Sequence, residues 1–111
     1  MSNSSVSQVI ADWVETIDTE ELPSEVVQAC ADTLIDTVGL SVAACNTDYV
    51  TALRNSWTAD GPCTVLGSNL KLDAPSAAMI NGTAAHGEDF DNTFEGCPVH
   101  SGAVIVPALL A

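Results

Sequence analysis

Between Pro23 and Asn46 the chain has room for one long helix, and apolar residues fall on nearly every side of it. Val26, Val27, Cys30, Leu34, Ile35, Val38, Val42 and Cys45 fill most of the circumference and leave Asp32 and Asp36 a narrow polar strip. A helix that is apolar all round needs other helices around it. The spacing therefore predicts a largely buried helix from about Ser24 to Ala44, with Gly39 allowing a close crossing.

The rest of the chain supplies partners of the same kind. Val6, Val9, Ile10, Trp13, Val14 and Ile17 recur at intervals of three and four, which marks an amphipathic helix capped by Ser5 or Ser7. The segment DTEELP breaks it, and Thr19 or Ser24 can cap the long helix that follows, with Pro23 at its start. A third helix is predicted from about Tyr49 to Trp57, closed by Asp60-Gly61-Pro62. Thr64-Val65-Leu66 and Leu70-Lys71-Leu72 flank Gly67-Ser68-Asn69 and read as a small hairpin near 64–72. Asp73 caps a fourth helix with Pro75 in its first turn, and Asn81-Gly82 within it points to close packing against a neighbouring backbone. GAVIVPALLA begins a fifth. The fold class is thus all-α with one short hairpin. Because the last helix stops while its apolar face is still being written, residues 1–111 are expected to be an amino-terminal, partial helical domain of a longer protein.

Fifteen Asp and Glu against two Lys and Arg give a net charge of −13, which excludes ordinary nucleic-acid binding and docking on anionic membranes. No apolar run is read as long enough to span a bilayer, and a 47% hydrophobic content is not that of a disordered chain. Cys30, Cys45, Cys63 and Cys97 form no CxxC pair, a poor pattern for zinc or an iron–sulfur cluster. The start MSNSSVSQVI has no secretory signal features, so free thiols in the cytoplasm are expected, with Cys30 and Cys45 as small core residues.

Chemistry concentrates in NGTAAHGEDFDNTFEGCPVHSG, residues 81–102, which holds both histidines and four of the fifteen acids. If the fourth helix continues to Phe90, His86 and Asp89 emerge on one face near its end. A tight loop could then fold His100 back toward Asp89. A histidine, a carboxylate and a hydroxyl in one cleft are the inventory for moving a proton at neutral pH. Plain structural roles stay open for each residue: Asp89 and Asp91 as turn-capping acids, His86 as a packing residue, Thr93 as a cap. Asp89, Asp91, Thr93 and Glu95 alternate like a calcium loop, but Phe94 stands where its glycine belongs and His100 where its bidentate Glu belongs. A transition-metal site of His86, Asp89 and His100 fits the composition without any supporting spacing. Cys97 and His100 as nucleophile and base lack an orienting third group.

LPSEVV, LIDTVGLSVAA, TVLGSNLKLDAPSAAMINGTAAHGEDFDNT and VHSGAVIVPALLA together resemble the MmgE/PrpD family of 2-methylcitrate dehydratases and cis-aconitate decarboxylases. The resemblance runs over nearly the whole chain. It implies a helical domain completed elsewhere by an α/β lid, homodimers, no metal or other cofactor, and acid/base lyase chemistry on small polycarboxylic acids. The family's active-site Asp and Thr fall on Asp89 and Thr93 and its loop histidine on His100. In that reading His100 is the acid/base, Asp89 orients it or shares its proton, Thr93 binds a substrate carboxylate or hydroxyl, and His86 is a secondary substrate contact. The chain departs from the family at Asn92, where a second Asp is common, and at Cys97-Pro98-Val99. A polycarboxylate would be repelled by Glu88, Asp89, Asp91 and Glu95 with only Arg54 and Lys71 to offset them, so this chain alone is expected to be inactive. The competing reading is a non-catalytic acidic helical module for interaction or dimerisation.

Overall fold

The computed structural model describes residues 4–57 and 59–111. They form helices α1 (Val6–Glu15), α2 (Ser24–Ala43) and α3 (Asp48–Asn55), strands β1 (Asp60–Thr64) and β2 (Lys71–Leu72), then helices α4 (Ala74–His86) and α5 (Ser101–Leu110). The fold is mainly helical with one antiparallel hairpin, as the patterning predicts. The chain divides into two compact units, Met1–Cys30 and Ala31–Ala111.

In the first unit, Ser5 caps α1 by accepting from the Gln8 N–H at 3.2 Å, and Gln8 bonds Asp12 one turn on. The DTEELP break is a turn in which the Asp18 carboxylate accepts from the Glu20 N–H. The apolar stripe of α1 is present, but no residue of this helix is buried.

In the second unit, Val50 of α3, Val65 and Leu72 of the hairpin, and Ala77, Ile80 and Ala84 of α4 form the core together with Ala44. Asp73 caps α4 as expected, accepting from the Ser76 N–H at 3.2 Å. Asn81 joins the helix to the hairpin: its Nδ2 donates to the Thr64 carbonyl at 3.0 Å and its Oδ1 accepts from the Leu66 N–H at 2.9 Å. The Asn81 carbonyl also accepts from the Ser41 hydroxyl of α2 at 3.0 Å. One turn of α4 thereby holds two neighbouring elements.

The next residue sets the crossing with α5. A Cβ on Gly82 would stand 2.8 Å from the Ala103 carbonyl oxygen, so only glycine admits this approach. That carbonyl lacks its usual donor four residues on, because Pro107 lies inside α5 and carries no N–H. Gly82 and Pro107 are thus two halves of one backbone contact.

Several expectations are corrected. The long helix is not largely buried: among its residues only Thr37 and Ser41 are buried, while Val26, Val27, Leu34, Ile35 and Val42 are exposed. Small hydroxyl residues one turn apart take the close-contact side, where Ser41 also bonds the Thr37 carbonyl. Gly39 has nothing within reach of a Cβ and marks no crossing. Cys30 is exposed, whereas Cys45 is buried; all four cysteines are unpaired. By length and mean hydropathy, α2 is apolar enough to cross a membrane, contrary to the reading of the sequence, because it continues through Asp32 and Asp36 without a break. Asp60-Gly61-Pro62 does not simply stop a helix but enters β1, with a register shift between Asp60 and Cys63. Finally, α4 ends at His86 rather than Phe90.

The chain leaves α4 under Tyr49, which packs against Gly87 and donates its hydroxyl to Glu88 at 3.0 Å. A hydrogen bond with Thr47 lowers the Tyr49 pKa, but burial and the Glu88 carboxylate outweigh it, and the phenol sits above its ordinary value of 10.0. Because the folded-state pKa is the higher one, this contribution to stability is intact below the unfolded value and is lost as pH rises through the folded value. Tyr49 is the chain's single tyrosine, so ultraviolet titration of phenolate isolates it. The midpoint should lie above that of a model tyrosine and fall in Glu88→Gln. Asn81→Ala, which strips partners from Leu66 N–H and Thr64 C=O, should cost about 1–3 kcal/mol, read as a lower urea midpoint at unchanged slope.

Candidate functional site

The site begins where α4 stops. The helix closes with the Gly87 N–H on the Thr83 carbonyl at 3.0 Å, and the Asp89 N–H then bonds the His86 carbonyl at 2.8 Å. Asp89 adopts φ +57°, a left-handed conformation that Asp tolerates better than most residues. This reverses the chain beneath the helix end and buries the next acid, Asp91, whose side chain is 0% exposed. Asn92 then ties the loop to α5, accepting from the Gly102 N–H at 3.1 Å and donating to the Ser101 hydroxyl at 3.4 Å. His100 occupies the cap position of α5 without capping it; Asn92 satisfies a free N–H there instead. A side chain at Gly102 would collide with Asn92 Oδ1 and Thr37 Oγ1. The residue that departs from the family's second Asp is therefore an acceptor and a donor to the start of α5.

Between these ties the loop folds on itself, with Phe94 N–H on the Val99 carbonyl and Gly96 at φ +79°. This returns His100 to Thr93, whose Oγ1 lies 3.2 Å from His100 Nε2; Asp89 Oδ1 is 3.8 Å from the same nitrogen. The other face of the ring points inward. His100 Nδ1 is 3.2 Å from Asp91 Oδ1, and His86 Nδ1 is 3.0 Å from that same oxygen. The two imidazoles stand 4.7 Å apart at 59°.

All four residues singled out from the sequence, His86, Asp89, Thr93 and His100, converge, though not along a helical face as expected. The residue the sequence reading left as a turn-capping acid is Asp91, at the centre of the cluster. The signal was Gly87 directly after His86. A glycine there can end the helix, and the left-handed turn at Asp89 then leaves Asp89 at the rim and carries Asp91 inside.

A cavity of about 580 Å³ opens beside the histidines, with Thr83, Pro98, Val99, Ala103 and Val104 in its wall. Neither Arg54 nor Lys71 lines it; Arg54 donates to the Cys45 carbonyl. Donor atoms of His86, Asp89, Asp91 and His100 all lie within 4.8 Å of one another, a set large enough to gather around a transition-metal ion. Asp89 is its weakest member, 80% exposed at the rim. The arrangement can hold and relay a proton between buried carboxylate, imidazole and hydroxyl at the edge of an apolar recess.

Comparison with known proteins identifies the family. The profile of the MmgE/PrpD N-terminal domain matches residues 8–111. The cis-aconitate decarboxylase-like protein oryM of Aspergillus oryzae is 24% identical over 109 residues, covering 96% of this chain and 23% of that protein. The cis-aconitate decarboxylase of Aspergillus terreus is 26% identical over 99% of this chain and 23% of its own length; that of Mus musculus is 27% identical over 96% and 22%. The chain thus spans less than a quarter of the length of these relatives. No solved structure matches it significantly. On the match over nearly its whole length, the chain belongs to the MmgE/PrpD family.

Proposed function

We propose that this chain supplies the proton-handling part of a cofactor-independent lyase acting on small polycarboxylic acids, by decarboxylation of a cis-aconitate-like or dehydration of a 2-methylcitrate-like substrate. The observation that carries the reading is that His100, a residue of the cavity wall, has its Nε2 facing Thr93 Oγ1 and Asp89 Oδ1. In decarboxylation the carbon–carboxylate bond breaks, its electron pair stays on carbon, and imidazolium at position 100 delivers the proton that quenches it. In dehydration the neutral ring takes a proton from the carbon next to a carboxylate, the carbon–oxygen bond breaks as the carbon–carbon double bond forms, and the imidazolium so made returns that proton to the departing hydroxide, which leaves as water. Asp89 faces the proton once Nε2 holds it. Thr93 hydrogen-bonds the substrate's carboxylate or hydroxyl oxygens, and His86 is a secondary substrate contact whose Nε2 accepts from a hydroxyl.

The cations needed to hold a polyanion beside Glu88, Asp89, Asp91 and Glu95 are, in this proposal, supplied by sequence outside these 111 residues, from the rest of a partial domain, its lid or a second copy in a homodimer. The thiols suit a cytoplasmic setting. The competing interaction-module reading draws on α1, whose Val6, Val9, Ile10, Trp13 and Val14 are all more than half exposed.

The purified 111-residue chain is expected to show no appreciable turnover of cis-aconitate or 2-methylcitrate. A polypeptide continuing it to the length of its relatives should turn over a member of a polycarboxylate panel. There, His100→Ala and Asp89→Asn should lower kcat by about 10²–10⁴-fold with the circular-dichroism spectrum unchanged; full turnover in either variant would refute the assignment. Activity should also survive EDTA. Loss restored by a divalent cation would instead assign a metal to the four-donor cluster.

A further inference from the structure

We propose that Asp91 is a positioning residue: one buried carboxylate that draws the Nδ1 protons of both His86 and His100 toward itself and so leaves Nε2 of His100 as the bare, proton-accepting atom. The role of that atom in turnover rests on the function proposed above; the tautomer assignment does not.

The Asp91 side chain is 0% exposed, and an ionised carboxylate removed from water needs donors. No Lys or Arg is paired with it among the described residues. The groups within reach are His86 Nδ1, at 3.0 and 3.3 Å from its two oxygens, and His100 Nδ1, at 3.2 Å from Oδ1. His100 Nδ1 is itself buried and has no aligned hydrogen bond in its present ring orientation. A small turn of the ring about its Cβ–Cγ bond brings this N–H onto Asp91 and satisfies both groups at once.

A carboxylate only accepts, so the imidazole nitrogen that faces it must carry the hydrogen. In a neutral ring the opposite nitrogen then bears the lone pair. For His100 that nitrogen is Nε2, and the Thr93 hydroxyl at 3.2 Å becomes the donor to it. The remaining charged groups around the pair are differently engaged. Asp89 meets His100 from the Nε2 side and is 80% exposed, Glu88 accepts from Tyr49, and Glu95 is an exposed loop acid. Among the described residues only Asp91 meets both rings at Nδ1. Its place is fixed from either side, by the left-handed turn at Asp89 and by the bonds of Asn92 to the start of α5.

Long-range ¹H–¹⁵N correlation of the imidazoles in the ¹⁵N-labelled 111-residue chain, at a pH where both rings are neutral, tests the assignment directly. Both histidines should show a protonated Nδ1 and a bare Nε2. Asp91→Asn keeps the shape but can donate as well as accept, and should shift His100 toward the Nε2–H form that free imidazole side chains favour; Glu95→Gln should leave the pattern alone. A wild-type His100 protonated on Nε2 overturns the proposal without recourse to any variant. So does an unchanged pattern in Asp91→Asn with native amide shifts. In a turnover-competent polypeptide, Asp91→Asn should lower kcat by about 10²-fold or more while KM stays within about twofold. Bare Nε2 without any turnover would leave the positioning role standing and remove the lyase reading instead.

Discussion

The Asn81 side chain is the interaction on which the second unit depends. It completes the backbone bonding of the hairpin at Thr64 and Leu66 while the backbone carbonyl of Asn81 receives Ser41 from α2. A hairpin of this size is marginal in water and needs a surface to lie on; a helix face with a matched amide gives it one. Because the neighbouring residue is Gly82, α5 can approach the same turn of α4 until backbone meets backbone at Ala103. The end of α4 and the beginning of α5 are brought together by these contacts, and they carry His86 and His100 with them. The site geometry is downstream of a buried amide a turn and a half of helix away.

Local chemistry was readable in the sequence wherever a single residue type answers a single need. Asp73 before Pro75 caps α4, Ser5 caps α1, and the Asn81-Gly82 pair marks a close backbone approach. The readings failed where the outcome depends on which neighbours a face meets. The apolar circumference of α2 predicts burial, yet its buried residues are Thr37, which lies against Gly102 of α5, and Ser41, which bonds the Asn81 carbonyl of α4 and the Thr37 carbonyl of its own helix. Periodicity counts apolar residues and does not register that preference.

The site shows the same division. His86, Asp89, Thr93 and His100 could be named from residue type and from family resemblance. Asp91 could not, because its importance comes from burial, and burial follows from a reversal at Asp89 that no spacing rule encodes. The helical extension to Phe90 also placed His86 and Asp89 on one face and gave Asp91 nothing to face. Ending α4 four residues earlier exchanges the roles of the two acids: the one expected beside His86 goes to the rim, and the one left in solvent goes inside.

That exchange bears on how so acidic a chain can carry proton chemistry. With a net charge of −13, gathering carboxylates at one place is costly unless each has a distinct partner. Here the buried acid is opposed by two imidazoles, while the exposed one is solvated at the rim, where water screens it. The cavity wall beyond them is apolar. In the proposed function, proton handling and recognition of an anionic substrate would therefore place opposite demands on these residues. A fixed cation strong enough to bind a polycarboxylate, if it entered the cluster, would compete with the histidines for Asp91 and release their tautomers. Arg54 is held on the Cys45 carbonyl and does not line the cavity. In the proposed function, charge that binds substrate is best brought to the Nε2 side of His100, away from Nδ1 and Asp91.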